Sequence, residues 1–281
     1  MGNPPTPRWL PVVAAFLVCV TIGSMLVVLD RVPGRSRRPE ASGPTPTAGS
    51  DLHLRGRYVF QRHCAVCHGR WGDGRGEMSV GMRPRPRDFT TGVFKFRSTP
   101  SGFLPTDEDL RRTLRRGIAN SSMPAFGSLA ENEVEAVIAY IKTLSPRWMD
   151  GTASVAVQHL GTDPPWLGDP VASAGHRAAG KVTFVTHCAP CHGIAGDGAS
   201  AVANSLEDIW GQPCPPSDLR STSLKSGPEP INIFRTLSTG LDGSPMPSFA
   251  ESLNTVQRWD LVAYLLGLRS SNEPPSAPET R

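Results

Sequence analysis

The chain has 281 residues, of which 38% are hydrophobic, with 28 Gly, 28 Pro, six Cys and a formal net charge of +4. That length allows two modest domains besides short extra segments, and the composition leaves little apolar side-chain surface for a core. No basic–aromatic stripe and no recognisable binding module occurs, which argues against nucleic-acid binding.

The first element is the uncharged run Trp9 to Leu29, long enough to cross a bilayer at about 1.5 Å per residue. A cleavable signal is usually shorter and ends in a small-x-small site. Asp30-Arg31-Val32-Pro33 offers no such site, and the bulky Val18 before Cys19 makes a poor lipoprotein signal. Residues 1–30 are therefore expected to be an uncleaved transmembrane anchor. Residues 31–50, rich in Pro, Gly, Ser and Thr, read as a flexible linker. Arg31, Arg35, Arg37 and Arg38 follow the apolar run, whereas only Arg8 and the amino terminus precede it. That charge count alone would place the rest of the chain in the cytoplasm.

The next feature reverses that reading. Cys64-Ala65-Val66-Cys67-His68 returns as Cys188-Ala189-Pro190-Cys191-His192, and each copy has a Met-Pro pair about 55 residues downstream. C-x-x-C-H is the attachment pattern of c-type haem: each thiol can form a thioether to a vinyl group, and the His then lies under the iron. Met123 and Met246 are the candidate sixth ligands, and His/Met ligation is the electron-transfer arrangement. Each is preferred to the other five Met because Pro follows it and a Gly lies six residues before. A zinc site built from four thiols and two imidazoles is the rival metal reading. The 124 residues between the pairs and the His adjacent to each second Cys suit porphyrin attachment better. A thioredoxin-type pair needs a βαβ context, which neither copy has. Covalent haem attachment in bacteria takes place outside the inner membrane. The expected location is therefore the bacterial inner (cytoplasmic) membrane, single-pass, with the haem domains on the periplasmic side. Cys19 and Cys214 are left over and read as unpaired and unreactive.

The duplication extends well beyond the motif. Gly56, Phe60, His63 and Gly69 match Gly180, Phe184, His187 and Gly193, and Gly72-Asp73-Gly74 matches Gly196-Asp197-Gly198. Arg112-Thr113-Leu114-x-x-Gly117 matches Arg235-Thr236-Leu237-x-x-Gly240, and Met123-Pro124-Ala125-Phe126 matches Met246-Pro247-Ser248-Phe249. The expected division is a first domain at 51–147, a linker at 148–173, a second domain at 174–270 and a disordered tail at 271–281. Each copy opens with a helix, near 52–64 and 175–188. Thr106-x-x-Asp109 reads as a capping box with Asp in the third position, followed by Leu110, Leu114 and Ile118 at helical spacing. Ser128 or Asn132 is expected to start a last helix with a core stripe of Val134, Val137, Ile138 and Ile141. Val256, Leu261, Val262, Leu265 and Leu268 form the matching stripe. Residues 51–150 carry 16 Lys and Arg against 11 Asp and Glu, while 151–281 carry 8 against 12. The two halves could steer different partners, or the charges could be ordinary solvated surface.

Both halves resemble class I cytochrome c domains over residues 51–147 and 174–270. The resemblance implies an all-α fold with an N-terminal transmembrane helix and two tandem domains. Two covalently bound haem c groups would be attached through Cys64, Cys67, Cys188 and Cys191, with iron held by His68, Met123, His192 and Met246. It also implies that Gly56, Phe60 and Tyr140, like Gly180, Phe184 and Tyr264, form a helix crossing. In the family a Pro carbonyl accepts the His Nδ1–H, and Pro86 and Pro216 are the matching candidates. The segment Asp88-Phe89-Thr90 to Leu110 is similar to dihaem subunits of bacterial respiratory complexes, such as the alternative complex that oxidises quinols. The expected function is electron transfer between respiratory redox partners through two His/Met haems, with no catalytic residues. The alternative is a dihaem enzyme of peroxidase or thiosulfate dehydrogenase type, which would need an open or unusual axial position. His63 and His187 are expected to make local hydrogen bonds, and His53, His159 and His176 to lie at the surface. Arg83, Arg85, Arg87, Lys95 and Arg97 could pair with haem propionates, dock an acidic partner or simply be solvated.

Overall fold

Two long helices cross at a glycine in each half of the chain. The computed structural model describes residues 51–150, 161–221 and 223–270. The expected anchor, the linker at 31–50, Cys19, His159 and the tail lie outside these residues. Helix α1 (Asp51–His63) packs on α4 (Glu131–Thr143), and α5 (Ser173–His187) packs on α8 (Thr255–Ser270). A Cβ on Gly56 would overlap the carbonyl oxygen of Ala136, and one on Gly180 would overlap that of Asp260. Only a residue without a side chain permits that approach. Beside each crossing a fully buried Phe meets a Tyr: Phe60 with Tyr140 and Phe184 with Tyr264, ring centroids 5.2 Å apart in both. These tilted pairs have the geometry aromatic quadrupoles favour.

The one-turn helices α2 (Ala65–His68) and α6 (Ala189–His192) carry the C-x-x-C-H motifs. Helix α3 (Asp107–Arg116) is capped as its sequence predicts. Asp109 N–H donates to Thr106 Oγ1 at 3.1 Å, and Thr106 N–H donates back to Asp109 Oδ2 at 3.0 Å. Leu110 and Leu114 are buried, but the helix ends before Ile118. Its counterpart α7 (Pro230–Thr239) starts with Pro at its first position, where the missing N–H costs nothing.

Two details of the last helices differ from expectation. Neither Ser128 nor Asn132 caps α4; Ala130 holds the N-cap, and its N–H donates to Glu133 Oε2 at 2.9 Å. The α4 stripe is buried as predicted, but Val256 on α8 is 60% exposed. Five residues before Leu261 puts it well round the helix from the core face. Trp259 fills that part of the core instead, stacked on Phe234 at 4.3 Å. Among the described residues there is no strand, only one antiparallel bridge, Glu207 with Pro213. No described helix is long and apolar enough to cross a membrane.

The halves belong to one packed unit and meet through a buried ion pair. The Arg97 side chain is fully buried and its Nη2 donates to Thr239 O and to Asp242 Oδ1, both at 2.7 Å. Its other nitrogens bond the carbonyls of Pro100 and Phe94. Asp242 also accepts from Ser101 Oγ at 2.8 Å and Gly102 N–H at 2.9 Å. Nearer the surface, Arg116 pairs with Glu229, and Asn120 Nδ2 donates to Ser223 O. Arg97, a candidate propionate ligand from sequence, is therefore committed to the contact between halves.

Candidate cofactor sites

In the first half, a cavity of about 810 Å³ is lined by Cys64, Cys67, His68 and Met123 together. Phe60, Phe89, Phe94, Leu114 and Ile141 give it apolar walls. His68 stacks on Phe89, centroids 4.5 Å apart. Its Nδ1 lies 2.9 Å from the Arg87 carbonyl, which fixes the ring and leaves Nε2 as the available nitrogen. Met123 is half-buried on the first core. Its loop is held by Ile118 N–H to Met123 O at 3.1 Å, Met123 N–H to Ser121 Oγ at 3.2 Å and Phe126 N–H to Leu114 O at 2.8 Å. Gly117, with φ 65°, lets this loop fold tightly over the end of α3, since a Cβ there would lie 2.6 Å from Ala125 N.

The second half repeats this frame bond for bond. His192 Nδ1 lies 3.1 Å from Ser217 O. Leu241 N–H reaches Met246 O at 3.1 Å, Met246 N–H reaches Ser244 Oγ at 3.4 Å, and Phe249 N–H reaches Leu237 O at 2.9 Å. Cys188 and Met246 pack on the second core with Phe184. In both halves the His acceptor is one residue beyond the expected Pro. The carbonyls of Pro86 and Pro216 turn instead toward Gly74 and Gly198, where a Cβ would come within 2.7 Å. In the extended chain the next carbonyl, Arg87 or Ser217, then faces the His.

Burial pushes the Cys64 thiol up to about 12 and Cys188 to about 11, with the neighbouring Cys of each motif adding to the rise. A redox dithiol works through a lowered pKa, the opposite of the direction at Cys64 and Cys188. Burial holds His68 and His192 below the ordinary imidazole value, against the opposing pull of their carbonyl partners. Neutral imidazole is the form that ligates a metal. Among the described residues no three His, Cys, Asp or Glu side chains gather as a metal-binding group, so tetrahedral zinc closure finds no donor set. A haem fits the first site: two thiols, a fixed imidazole and a thioether line one largely apolar cavity of cofactor size.

Both halves find counterparts among known proteins. Residues 51–141 match the family model "Cytochrome C oxidase, cbb3-type, subunit III", and residues 177–269 match "Cytochrome c". A chain of the reducing HAO-like protein complex of Kuenenia stuttgartiensis superposes with a TM-score of 0.71 at 36% identity, covering 76% of this chain and 95% of that one. The chain belongs to the dihaem class I c-type cytochromes. This cytochrome is also 24% identical over 220 residues to the cbb3-type cytochrome c oxidase subunit CcoP of Azospirillum sp. (strain B510), covering 76% of the chain. It is 29% identical over 93 residues to subunit FixP of Bradyrhizobium diazoefficiens. The match spans 61% of the length of the Azospirillum subunit.

Several residues of the cytochrome took roles that the sequence did not suggest. His176, expected at the surface, stacks on Trp166 with centroids 3.6 Å apart and bonds buried Asp260 at 2.6 Å. His53 lies against Tyr140 at 5.4 Å. His187 meets Phe249 edge-on, while His63 lines the first cavity. Cys214 is unpaired, 3.9 Å from Lys95 Nζ. The part that Asp208, Trp210, Gln212 and Lys225 play in the first cavity had no signal in the repeat, since the matched sequence segments do not include them.

Proposed function

We propose that this cytochrome transfers electrons between respiratory redox partners through two haem c groups, each with His/Met ligation, and is not itself an enzyme. The supporting observation is the convergence of Cys64, Cys67, His68 and Met123 on one apolar cavity, with the same hydrogen-bonded frame around Cys188, Cys191, His192 and Met246. Haem c, when bound, supplies a one-electron iron couple that no side chain of the chain provides. The paired thiols would anchor the macrocycle, His68 and His192 would present Nε2, and the Met thioethers would occupy the sixth positions. With Met123 and Met246 as sixth ligands, neither iron would keep an open position for peroxide or thiosulfate, and the potential would be raised. The Pro after each Met biases its backbone to the extended form that projects the side chain.

Residues 1–30 would tether the two domains, 51–147 and 174–270, to the periplasmic face of the inner membrane. A membrane respiratory complex is the proposed partner, supported by relatives that are oxidase subunits. Haem quantitation and electron paramagnetic resonance of the purified chain test this reading. Two low-spin haems per chain are expected, and Met123→Ala and Met246→Ala should each abolish one Met–iron signature. A high-spin haem accompanied by peroxide or thiosulfate turnover would show an enzyme instead.

A further inference from the structure

The rim of the first cavity is not built by the first half alone. Trp210, Gln212 and Lys225 reach it from the second half, together with Asp208. The Arg87 guanidinium lies over the Trp210 ring, 4.4 Å from its centroid, in cation–π range. Lys95 stands close enough to Arg87, Lys225 and Asp208 to feel the charge of each. These three cations share the cavity lining with the carboxylates of Asp73, Asp88 and Asp208, of which Asp208 and Asp88 act on the charge of Arg87. Each carboxylate is engaged by its own loop: Asp208 Oδ1 accepts the N–H groups of Trp210 and Gln212, both at 3.0 Å, Asp88 Oδ1 accepts the N–H of Thr90 at 2.9 Å, and Asp73 Oδ1 accepts that of Arg75 at 3.1 Å. Among the described residues, none of the three cations has an ion-pair partner within 4.0 Å.

Half-buried cations with no ion-pair partner pay a desolvation cost that the nearby carboxylates and the Trp210 ring offset only in part. Facing a cavity of this size, they call for an anionic ligand inside it. We infer that Arg87, Lys95 and Lys225 form a carboxylate-binding rim for the two propionates of the first haem, and that the second half is needed to complete it. The inference rests on the reading that this cavity holds haem. Trp210 is a positioning residue: it supports Arg87, whose carbonyl in turn fixes His68. The ring is seated on Gly243, where a Cβ would lie 3.1 Å from it, and Ile209 N–H bonds Gly243 O at 3.1 Å. Gly243 is three residues before Met246, so the rim of one site is anchored on the ligand loop of the other.

Potentiometric titration of the full haem-loaded chain tests this, with the wave of the first haem assigned by its response to Met123→His. Lys225→Met should shift that wave to lower potential, because a nearby cation disfavours the oxidised, more positive iron. The second wave should stay in place, and Lys225→Arg should restore the first. Lys95→Met should act in the same direction as a second, independent variant. Two haems with a first wave unmoved by either Lys variant would overturn the inference alone, and would assign these cations to an acidic partner or to solvent. A wild-type chain carrying only one haem would overturn the underlying reading and the inference with it.

Discussion

Helices α3 and α7 occupy the same place in the two halves and solve the same problem with different chemistry. In α3, Thr106 caps, and buried Asp109 accepts from the N–H and hydroxyl of Ser98 and from Arg112 at 2.5 Å. In α7, Glu229 stands at the cap, and Asn232 donates to it at 2.6 Å while accepting from Arg235. Around the cofactor frame, by contrast, the halves share the His–carbonyl bond and the three bonds that hold the Met loop. The shared bonds lie at the His and the Met, whereas the contacts that join the halves are made only once. Arg97 and Trp210 illustrate the second class, the first bonding Thr239 and Asp242 and the second lying under Arg87.

The largest way to break this contrast is to remove an inter-half partner. Asp242→Ala leaves the Arg97 charge buried and uncompensated, and should cost about 3–5 kcal/mol in urea unfolding. If the loss were under about 1 kcal/mol, the ion pair would not be what joins the halves. Next come the shared crossings. Gly56→Ala and Gly180→Ala should each cost about 1–3 kcal/mol by forcing helices apart. The two costs should be similar, with hydrogen-exchange protection falling mainly in the half that is altered. Thr106→Ala should cost about 1 kcal/mol through loss of one arm of the capping box, with no change in either haem spectrum.

The smallest expected effect is confined to acid. Burial alone would raise Asp109, but the hydrogen bonds from Ser98, Arg112 and Thr106 outweigh it and hold the carboxyl below its ordinary 3.8. A depressed folded value means the stabilisation is complete above the unfolded value, and is lost as pH falls through the lower folded one. Hydrogen exchange should therefore show the start of α3 loosening at pH below about 4, while Glu229, held down to about 2 chiefly by its hydrogen bond from Arg116, gives the start of α7 an acid response of its own. Asp109→Asn should remove the loss at α3 and leave that at α7. An α3 whose acid response is unchanged in Asp109→Asn would show that the carboxyl is not its source.

Much of this was legible because it is local. C-x-x-C-H, the Gly six residues before Met, and the Gly–aromatic spacing are short-range patterns within one helix or loop. The sequence could therefore place Cys64, His68 and Met123 in one copy and their partners in the other. The acceptor of each His was misplaced by one residue, since alternate carbonyls of an extended segment point opposite ways and spacing alone does not tell which. Val256 and Trp259 were exchanged in the core because an apolar residue in a first helical turn satisfies a loose stripe without facing inward. The link from Arg97 to Asp242 was not readable at all. It joins residues 145 apart, and no periodicity carries information about which charge will be covered by which loop.

A tandem duplication begins with two interchangeable copies, either of which the gene can lose or replace. Arg97 ends that freedom. Any domain exchanged for the second half must bring a carboxylate and a carbonyl to the places of Asp242 and Thr239, or else strand a charge in a dry interior. In this chain the two copies are thereby tied into one structural part.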